Sequence, residues 1–296
     1  MKKRLIDLPQ RDIEKYAMKF YKMAHGKSCN IDHPVRFTEK IQWYTYRYQN
    51  PMMPYIVDKV TFKDYISQKL GSNEFTIPLL GHWHDIADLM QDWEQLPEEF
   101  CLKSNLQSDG KFIKMIHHKS KVDAQALFKE VEDWLKPEKT LQNSLARTFY
   151  NRTPQILAEK YMSNFADQLF DYKLFCFHGK PYYMYVATEH FAEGENNALY
   201  PITFYDTHWK KLDVRYGDHP NADVAKPKHF ELMKELGRIL SEDFPFVRVD
   251  FFDTEDHLYL AELTFNPGGG FTPYYPESFN KEMGELFVLP EQCDKG

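Results

Sequence analysis

Three charged residues near the C-terminal end of the 296-residue chain have the types and spacing for phosphate chemistry. They lie in the stretch 244–272, FPFVRVDFFDTEDHLYLAELTFNPGGGFT. The run from Phe246 to Phe252 is β-branched and aromatic, Asp253 to His257 is a polar turn, and Leu258 to Phe265 is a second β-rich run. Side chains alternate faces along a strand, so Arg248 and Asp250 share one face of the first strand, and Glu262, Thr264 and Asn266 share one face of the second. A hairpin turning about Asp256 sets Asp250 opposite Glu262, with Cβ atoms about 5 Å apart. Two carboxylates held that close repel unless a cation lies between them. An all-oxygen donor set favours a hard ion such as Mg2+, which keeps water and borrows phosphate oxygens. An arginine one step along the same face suits a phosphate. The plainer reading is an amphipathic hairpin with a solvated polar face. Against it, the acids sit among apolar neighbours and the second strand runs into Pro267-Gly268-Gly269-Gly270, a loop suited to close backbone approach.

Other residues could serve the same chemistry. In FCLKSNLQSDGKFIKMI (100–116), Lys103 ends a strand and a small polar loop through Gly110 leads to a returning strand. Backbone N–H groups of such a loop can line a phosphate nest, with Lys103 as a point charge; a plain hairpin with a surface lysine fits equally. The Walker spacing is missing. Lys59 and Lys63 stand four apart on one face of an expected helix. Glu159 and Asp171 flank a hinge, and carboxylates commonly accept ribose hydroxyls. The histidines fall in three groups, His82 with His84, His117 with His118, and His190 near Glu189 and Glu193, and none has HExxH spacing. GxSxG is absent. The nearest approach to a DxD motif is Asp253-Thr254-Glu255-Asp256, one residue too long.

The elements that must position these residues follow from periodicity. Ile13, Ala17, Phe20, Tyr21 and Ala24 predict a helix over 10–25, ended by Gly26. A second helix is expected over 38–48, broken by Asn50-Pro51 and Pro54, and a third from near Asp58 to Gly71. The middle of the chain predicts a strand at 75–80, a helix at 85–95, strands at 100–103 and 112–116, an Asp123-capped helix with Leu127, Phe128 and Val131 on one face, a helix at 140–149, and a strand or linker at 155–162. From 171 the chain is β-rich: 172–177 and 182–188 form a hairpin, 202–205 adds a strand, 228–243 is a helix, and 282–289 packs as a tail. Hairpin-paired strands with intervening helices indicate α+β lobes rather than a doubly wound sheet.

Composition bounds the function. Hydrophobic residues make up 43% and aromatic ones 16%, enough for a sizeable core. The net charge of −7, without a basic block, argues against nucleic acid as a partner. No apolar run approaches the roughly 18–20 residues of a transmembrane segment, and the start has no apolar signal core. Cys29, Cys101, Cys176 and Cys293 are scattered, which fits a reducing, cytoplasmic setting rather than a disulfide framework.

Nine pieces in order resemble the TupA-like ATP-grasp family, named for teichuronopeptide biosynthesis: FTEKIQWY (37–44), DKVTFKDYI (58–66), IPLLGHW (77–83), LPEEFCLKSN (96–105), ILAEKYM (156–162), DYKLFCFHGKPYY (171–183), TFYDTHWKKL (203–212), FVRVDFF (246–252) and LAELTFNPGGGFTPYYP (260–276). The resemblance implies an ATP-grasp fold, two α+β lobes clasping ATP, with residues 1–57 a helical N-terminal region, 58–160 the first lobe and 161–296 the second. It implies a carboxylate–amine ligase acting through an acyl phosphate, joining an amino acid or amine to a uronic acid in capsular or other surface polysaccharide biosynthesis, with peripheral association to that machinery allowed. By the resemblance, Lys63 and Lys103 hold ATP phosphates, Glu159, Lys160, Tyr161 and Met162 form the adenine hinge, Asp171 meets the ribose, and Arg248 holds a phosphate or stabilises the acyl intermediate. Asp250 and Glu262 bind Mg2+, with Thr264 or Asn266 as a third oxygen ligand. Gly268, Gly269, Gly270 and Thr272 take the acceptor carboxylate or a developing oxyanion. Two departures stand out: Thr264 occupies a place where such ligases often carry Asn, and Gly110 is the phosphate loop's single glycine. Two other readings stay open, a glycosyltransferase of the same pathway and a nucleotide- or saccharide-binding protein without catalysis.

Overall fold

The computed structural model of the chain describes residues 8–48, 50–106, 112–140, 145, 148, 152–162, 170–188 and 199–290. The chain divides into two compact units: Met1–Leu8, Pro51–Gln68 and Ser72–Asn164 form the first, and Pro9–Asn50, Lys69–Gly71 and Phe165–Gly296 the second. Two N-terminal helices, α1 (Gln10–His25) and α2 (Phe37–Tyr46), thus belong with the C-terminal half rather than forming a region of their own. α1 buries Ile13, Ala17 and Tyr21 and stops at Gly26, whose φ of 67° is the left-handed stop expected of a glycine.

In the first unit, α3 (Met52–Val57) occupies a stretch expected to be broken by prolines. Pro51 is its N-cap and Pro54 lies in its first turn, where a missing N–H costs nothing. α4 (Thr61–Leu70) begins there and ends before Gly71. The strands β1 (Leu79–Trp83), β2 (Phe100–Ser104), β3 (Ile113–Ile116) and β4 (Ile156–Lys160) pair antiparallel in the order β1-β4-β2-β3. β1 lies later than the strand expected at 75–80 and takes in His82 and Trp83; burial of the Trp83 indole sets it. β4, read as strand or linker, is an inner strand of the sheet. Phe100, Leu102, Ile156 and Ala158 share one face and pack with α5 (Ile86–Asp92) and α6 (Ala124–Val131) around Trp93 and Val131. The expected Asp123 cap is present, accepting from Ala126 N at 3.0 Å, and Asp85 caps α5 in the same way, accepting from Ala87 N at 2.6 Å. α7 (Pro137–Thr140) follows; most of the helix expected over 140–149 lies outside the described residues.

The second unit holds a five-stranded antiparallel sheet built from β5 (Asp171–Phe177), β6 (Lys180–Ala187), β7 (Ile202–Asp206), β9 (Phe246–Asp253) and β10 (Leu258–Thr264), in the order β10-β9-β5-β6-β7. The β5–β6 hairpin turns through His178 and Gly179, both at positive φ, which matches the strand twist. A two-stranded ribbon pairs β8 (Arg215–Tyr216) with β11 (Tyr274–Tyr275). α8 (Phe230–Ser241) lies on one sheet face, so close that a Cβ at Gly237 would meet Leu174 Cδ2 at 2.5 Å. On the other face Phe175, Phe177 and Phe246 surround Phe37 of α2 at centroid distances of 5.0–6.0 Å. α9 (Glu277–Leu286) is a helix where a tail was expected, and Phe287 beyond it is fully buried against Phe246. Tyr274 is buried beside Phe37, whereas Tyr275 is exposed under the Arg215 guanidinium. No helix among the described residues is long and apolar enough to cross a membrane.

Candidate functional site

The aromatic packing covers only one end of that second face. Toward the other end the same strands carry charge: Asp171 and Lys173 on β5, Arg248 and Asp250 on β9, Glu262 and Thr264 on β10. Glu262 stands opposite Asp250, the pairing expected, and Thr264 opposite Arg248, although the hairpin turns between Glu255 and Asp256 rather than about Asp256. The register reaches that alignment through a bulge. Near the turn, Leu260 faces Phe251; the extra residue Ala261 then shifts the ladder so that Glu262, not Ala261, meets Asp250.

The cation between the two acids is a side chain. Arg248 Nε donates to Asp250 Oδ1 at 2.7 Å and Nη2 to Oδ2 at 2.5 Å, a bidentate clasp along its own strand. The same Nη2 reaches Glu262 Oε1 at 3.3 Å and Thr264 Oγ1 at 3.1 Å, and the Thr264 hydroxyl donates to Glu262 Oε1 at 2.9 Å. Lys173, opposite Asp250 on β5, donates to Asp250 Oδ2 at 2.8 Å and pairs with Asp171 Oδ2 at 2.6 Å. Asp250 is wholly buried and Glu262 half-buried. Burial lifts the Asp250 carboxyl above the usual range, to about 6, against the pull of Arg248 and Lys173. Lys173 is held above the ordinary lysine value: burial works against its charge, but Asp171 and Asp250 outweigh it.

These oxygens suit a hard cation. Asp250, however, has both oxygens committed to Arg248 and Lys173. No group of three or more metal-ligating side chains gathers around one point among the described residues. The donor set therefore fits one ion at Glu262 and its neighbours better than a chelate centred on Asp250. Asn266 lies past the end of β10 and begins the glycine turn, where its C=O accepts from Gly269 N at 2.9 Å.

In the first unit, the two lysines expected at phosphate meet on a carboxylate. Lys63 Nζ pairs with Glu159 Oε1 at 2.6 Å and donates to Ile77 O at 2.6 Å, and Lys103 donates to Glu159 Oε2 at 2.7 Å. Burial pushes Glu159 up, yet the two ammonium groups prevail and hold it at about 2. The Glu159 side chain thus turns back onto the lysines rather than outward with the hinge. Lys160 is exposed, its N–H donating to Pro78 O at 3.0 Å, and Tyr161 and Met162 are half-buried. Lys59 precedes α4 and does not share a helical face with Lys63. The loop after Ser104 is described only to Leu106; Gly110 lies outside the described residues, as do His190, Glu189, Glu193 and Cys293.

Residues that alternation and motif reading passed over hold these lysines in place. Asp58 Oδ1 accepts from Val60 N at 2.9 Å and from Thr61 N, the first residue of α4, at 3.4 Å, while Oδ2 accepts from Asn105 Nδ2 at 2.8 Å and Arg152 Nη2 at 3.0 Å. Asn105 Oδ1 in turn accepts from Gln155 N at 2.8 Å. One buried carboxylate therefore ties the start of α4, the end of β2 and the approach to β4. Asp253, read as half of a DxD-like motif, accepts from His229 N at 3.3 Å and pairs with the His229 ring at 2.5 Å, which occupies it at the start of α8.

The glycine loop is anchored from far upstream. Gly268, Gly269 and Gly270 have φ of 55°, 59° and 70°. Gln42 Nε2 donates to Gly269 O at 2.5 Å, and His25 Nε2 lies 3.0 Å from Gly270 O. The N–H groups of Gly269 and Phe271 close turns inside the loop. Thr272 lies beside Gly217, whose added Cβ would meet its Cγ2 at 3.2 Å. A Cβ at Gly270 would stand 2.7 Å from Gln42 Nε2 and 2.9 Å from Thr38 O. Gly270→Ala is expected to cost about 2–4 kcal/mol, from the left-handed backbone and the overpacking together. A thermal melt unchanged by this substitution would show that the loop is not held tightly against Gln42 and Thr38.

The family model described as TupA-like ATPgrasp matches residues 39–288. No curated protein sequence matches the chain. Among solved structures it is similar to D-alanine–D-alanine ligase from Bacillus anthracis (12% identity, TM-score 0.42, covering 72% of this chain and 59% of that one). It is similar also to D-alanine–D-alanine ligase from Helicobacter pylori (14%, 0.46, 80% and 59%), and to N5-carboxyaminoimidazole synthetase from Staphylococcus aureus complexed with ADP (18%, 0.40, 71% and 44%). The chain spans no more than 59% of the length of these three proteins.

Proposed function

The chain belongs to the TupA-like ATP-grasp family, and on that premise we propose that it is an ATP-dependent carboxylate–amine ligase. A carboxylate oxygen of the acceptor attacks the γ-phosphorus of ATP, the bond to the β-phosphate oxygen breaks, and ADP leaves. The amine nitrogen then attacks the acyl carbon, the carbon–oxygen bond breaks, and phosphate leaves with the amide formed. The acceptor is a uronic acid and the amine an amino acid or simple amine, in the cytoplasmic assembly of a surface polysaccharide. These finer assignments rest on the family resemblance.

The observation that supports the reading most is the crossed ion-pair cluster of Lys173, Arg248, Asp250 and Glu262 on three adjacent strands. Phosphoryl transfer needs mainly fixed positive charge and alignment. Arg248 is placed rigidly enough to face developing negative charge, since its own partner is buried beneath it. Asp171 meets the ribose, and Lys63 and Lys103 exchange part of their hold on Glu159 for phosphate oxygens. Mg2+, held at Glu262 with Thr264 or Asn266 nearby, would neutralise phosphate charge when bound. Lys160, Tyr161 and Met162 supply the adenine hinge, and the Gly268–Thr272 loop faces the acceptor carboxylate.

The test is a coupled ADP assay across a panel of hexuronates and amino acids, with mass detection of the product. ADP release that needs both substrates, with an amide of the summed mass less water, is the expected result. Nucleotide released from a sugar donor would identify a glycosyltransferase. Binding without turnover throughout the panel would identify a binding protein.

A further inference from the structure

α1 carries two apolar stripes, and its own fold uses one of them. Ile13, Ala17 and Tyr21 line one face and are fully buried. Tyr16, Phe20 and Met23, at i, i+4 and i+7 on the neighbouring face, are 48%, 47% and 71% exposed. Single exposed apolar side chains are ordinary on a protein surface, whereas three in register along one helix form a continuous strip. Phe271 of the glycine loop extends it, its ring centroid 6.3 Å from that of Phe20. The strip therefore borders the loop proposed to take the acceptor.

Charge selects what covers the strip. On α1, Arg11, Lys15, Lys19 and Lys22 outnumber Asp12 and Glu14, in a chain of net charge −7. Both acids are answered: Lys15 pairs with Asp12 at 3.3 Å, and Arg47 donates to Glu14 through Nε at 3.1 Å and Nη2 at 2.8 Å. Lys19 and Lys22 are exposed beside the strip and make no ion pair among the described residues. A helix with aromatic and apolar side chains next to lysines is suited to lie in the plane of a bilayer interface, with its rings at the acyl-chain boundary and its ammonium groups among the headgroups. The rest of the chain carries the excess of acid, which an anionic surface repels, so such a surface also orients the molecule. A second copy fits less well, because a two-fold interface would set the strip on itself and bring Lys19 and Lys22 of both copies together.

We propose that α1 is a docking element for an anionic lipid surface, placing Tyr16, Phe20 and Met23 in the interface and Lys19 and Lys22 against lipid phosphates. The docking stands apart from the ligase reading, since it needs neither nucleotide nor acceptor.

The test is sedimentation of the full chain with sucrose-loaded vesicles, made either of equal parts phosphatidylglycerol and phosphatidylcholine or of phosphatidylcholine alone. In about 0.1 M salt, where charges are felt over about 10 Å, the wild type is expected to pellet with the anionic vesicles and to stay in solution with the neutral ones. Lys19→Glu/Lys22→Glu is expected to lower the partition coefficient by about tenfold or more, through the reversed charge at the headgroups. Phe20→Ser/Met23→Ser keeps the lysines and is expected to lower it by about tenfold, through the lost apolar area. All four side chains are exposed, and thermal melts of both variants are expected to match the wild type. Wild-type protein left in solution with anionic vesicles, equal pelleting with both vesicle types, or a folded variant that pellets like the wild type would overturn the proposal. So would a wild-type dimer in analytical ultracentrifugation that Phe20→Ser/Met23→Ser converts to monomer, which would assign the strip to a second copy. If Phe20→Ser/Met23→Ser does not fold, the lysine variant and the vesicle comparison decide. A chain that docks but releases no ADP with any substrate would overturn the ligase reading alone.

Discussion

Asp250→Asn is expected to leave ADP release at about one-hundredth of the wild-type rate or below, and to lower the melting temperature as well. The loss of rate follows from removing a charge that fixes Arg248 and Lys173; single electrostatic groups at such sites typically contribute 10²–10³-fold. The loss of stability has a separate origin. Asp250 is fully buried and answers both cations. An asparagine keeps the shape but leaves those cations short of their counter-charge, and breaking a buried pair costs roughly 3–5 kcal/mol. For a unit of this size the melting temperature should fall by on the order of 10 °C. Glu262→Gln provides the contrast. Its carboxylate is 30% exposed, accepts from Thr264 and meets Arg248 at the longer distance of 3.3 Å. It should lose turnover as deeply as Asp250→Asn while melting close to the wild type. Near-normal ADP release by either variant would remove the cluster from the chemistry. A Glu262→Gln melt as depressed as that of Asp250→Asn would show the two acids to be structurally equivalent, against the geometry.

How much of this was legible in the sequence depends on the range of the interaction. Alternation along β9 and β10 placed Arg248, Asp250, Glu262 and Thr264 on one face correctly, because a strand's period is a local property. The bulge at Ala261 that completes the alignment leaves no comparable local mark. Lys173 was within reach, since the same alternation puts it on the face of Asp171 two residues earlier. Its contact with Asp250 depends on the pairing of β5 with β9, which joins residues 77 positions apart in sequence and which no local pattern announces. α3 was missed because prolines at an N-cap and in a first turn resemble helix breakers when the start is misplaced. Least visible were the anchors of the glycine loop. Gln42 reaches Gly269 across 227 positions and His25 reaches Gly270 across 245. Three consecutive glycines announce an unusual backbone, but nothing in their own neighbourhood names the helices that hold it. Glu159 shows a different limit: residues 155–162 read equally as strand or linker, and the direction of the Glu159 side chain depends on Lys63 from a helix and Lys103 from the adjacent strand.

That direction makes Glu159 a lever on the stability of the first unit. Its carboxyl is held at about 2 against an ordinary value of 4.5. A carboxyl whose folded value is depressed contributes stability that is complete above the unfolded value and fades as the pH falls through the folded one. The window here runs from about pH 5 down to about pH 2, and the difference corresponds to roughly 3 kcal/mol. Glu159→Gln should abolish that dependence. At neutral pH it should also be less stable by about 3–5 kcal/mol, because Lys63 and Lys103 would keep their charges on a buried face with no carboxylate between them. Below pH 2 the wild-type carboxyl is protonated too, so the two proteins should converge. Trp83, Trp93 and Trp134 lie in this unit's core and report its unfolding by fluorescence. An acid titration in which wild type and Glu159→Gln follow the same curve from pH 7 to pH 2 would mean that the lysines do not depend on Glu159. They would then stand ready for phosphate on their own. The convergence at low pH is the sharper half of the prediction, since a merely disruptive substitution would stay less stable at every pH.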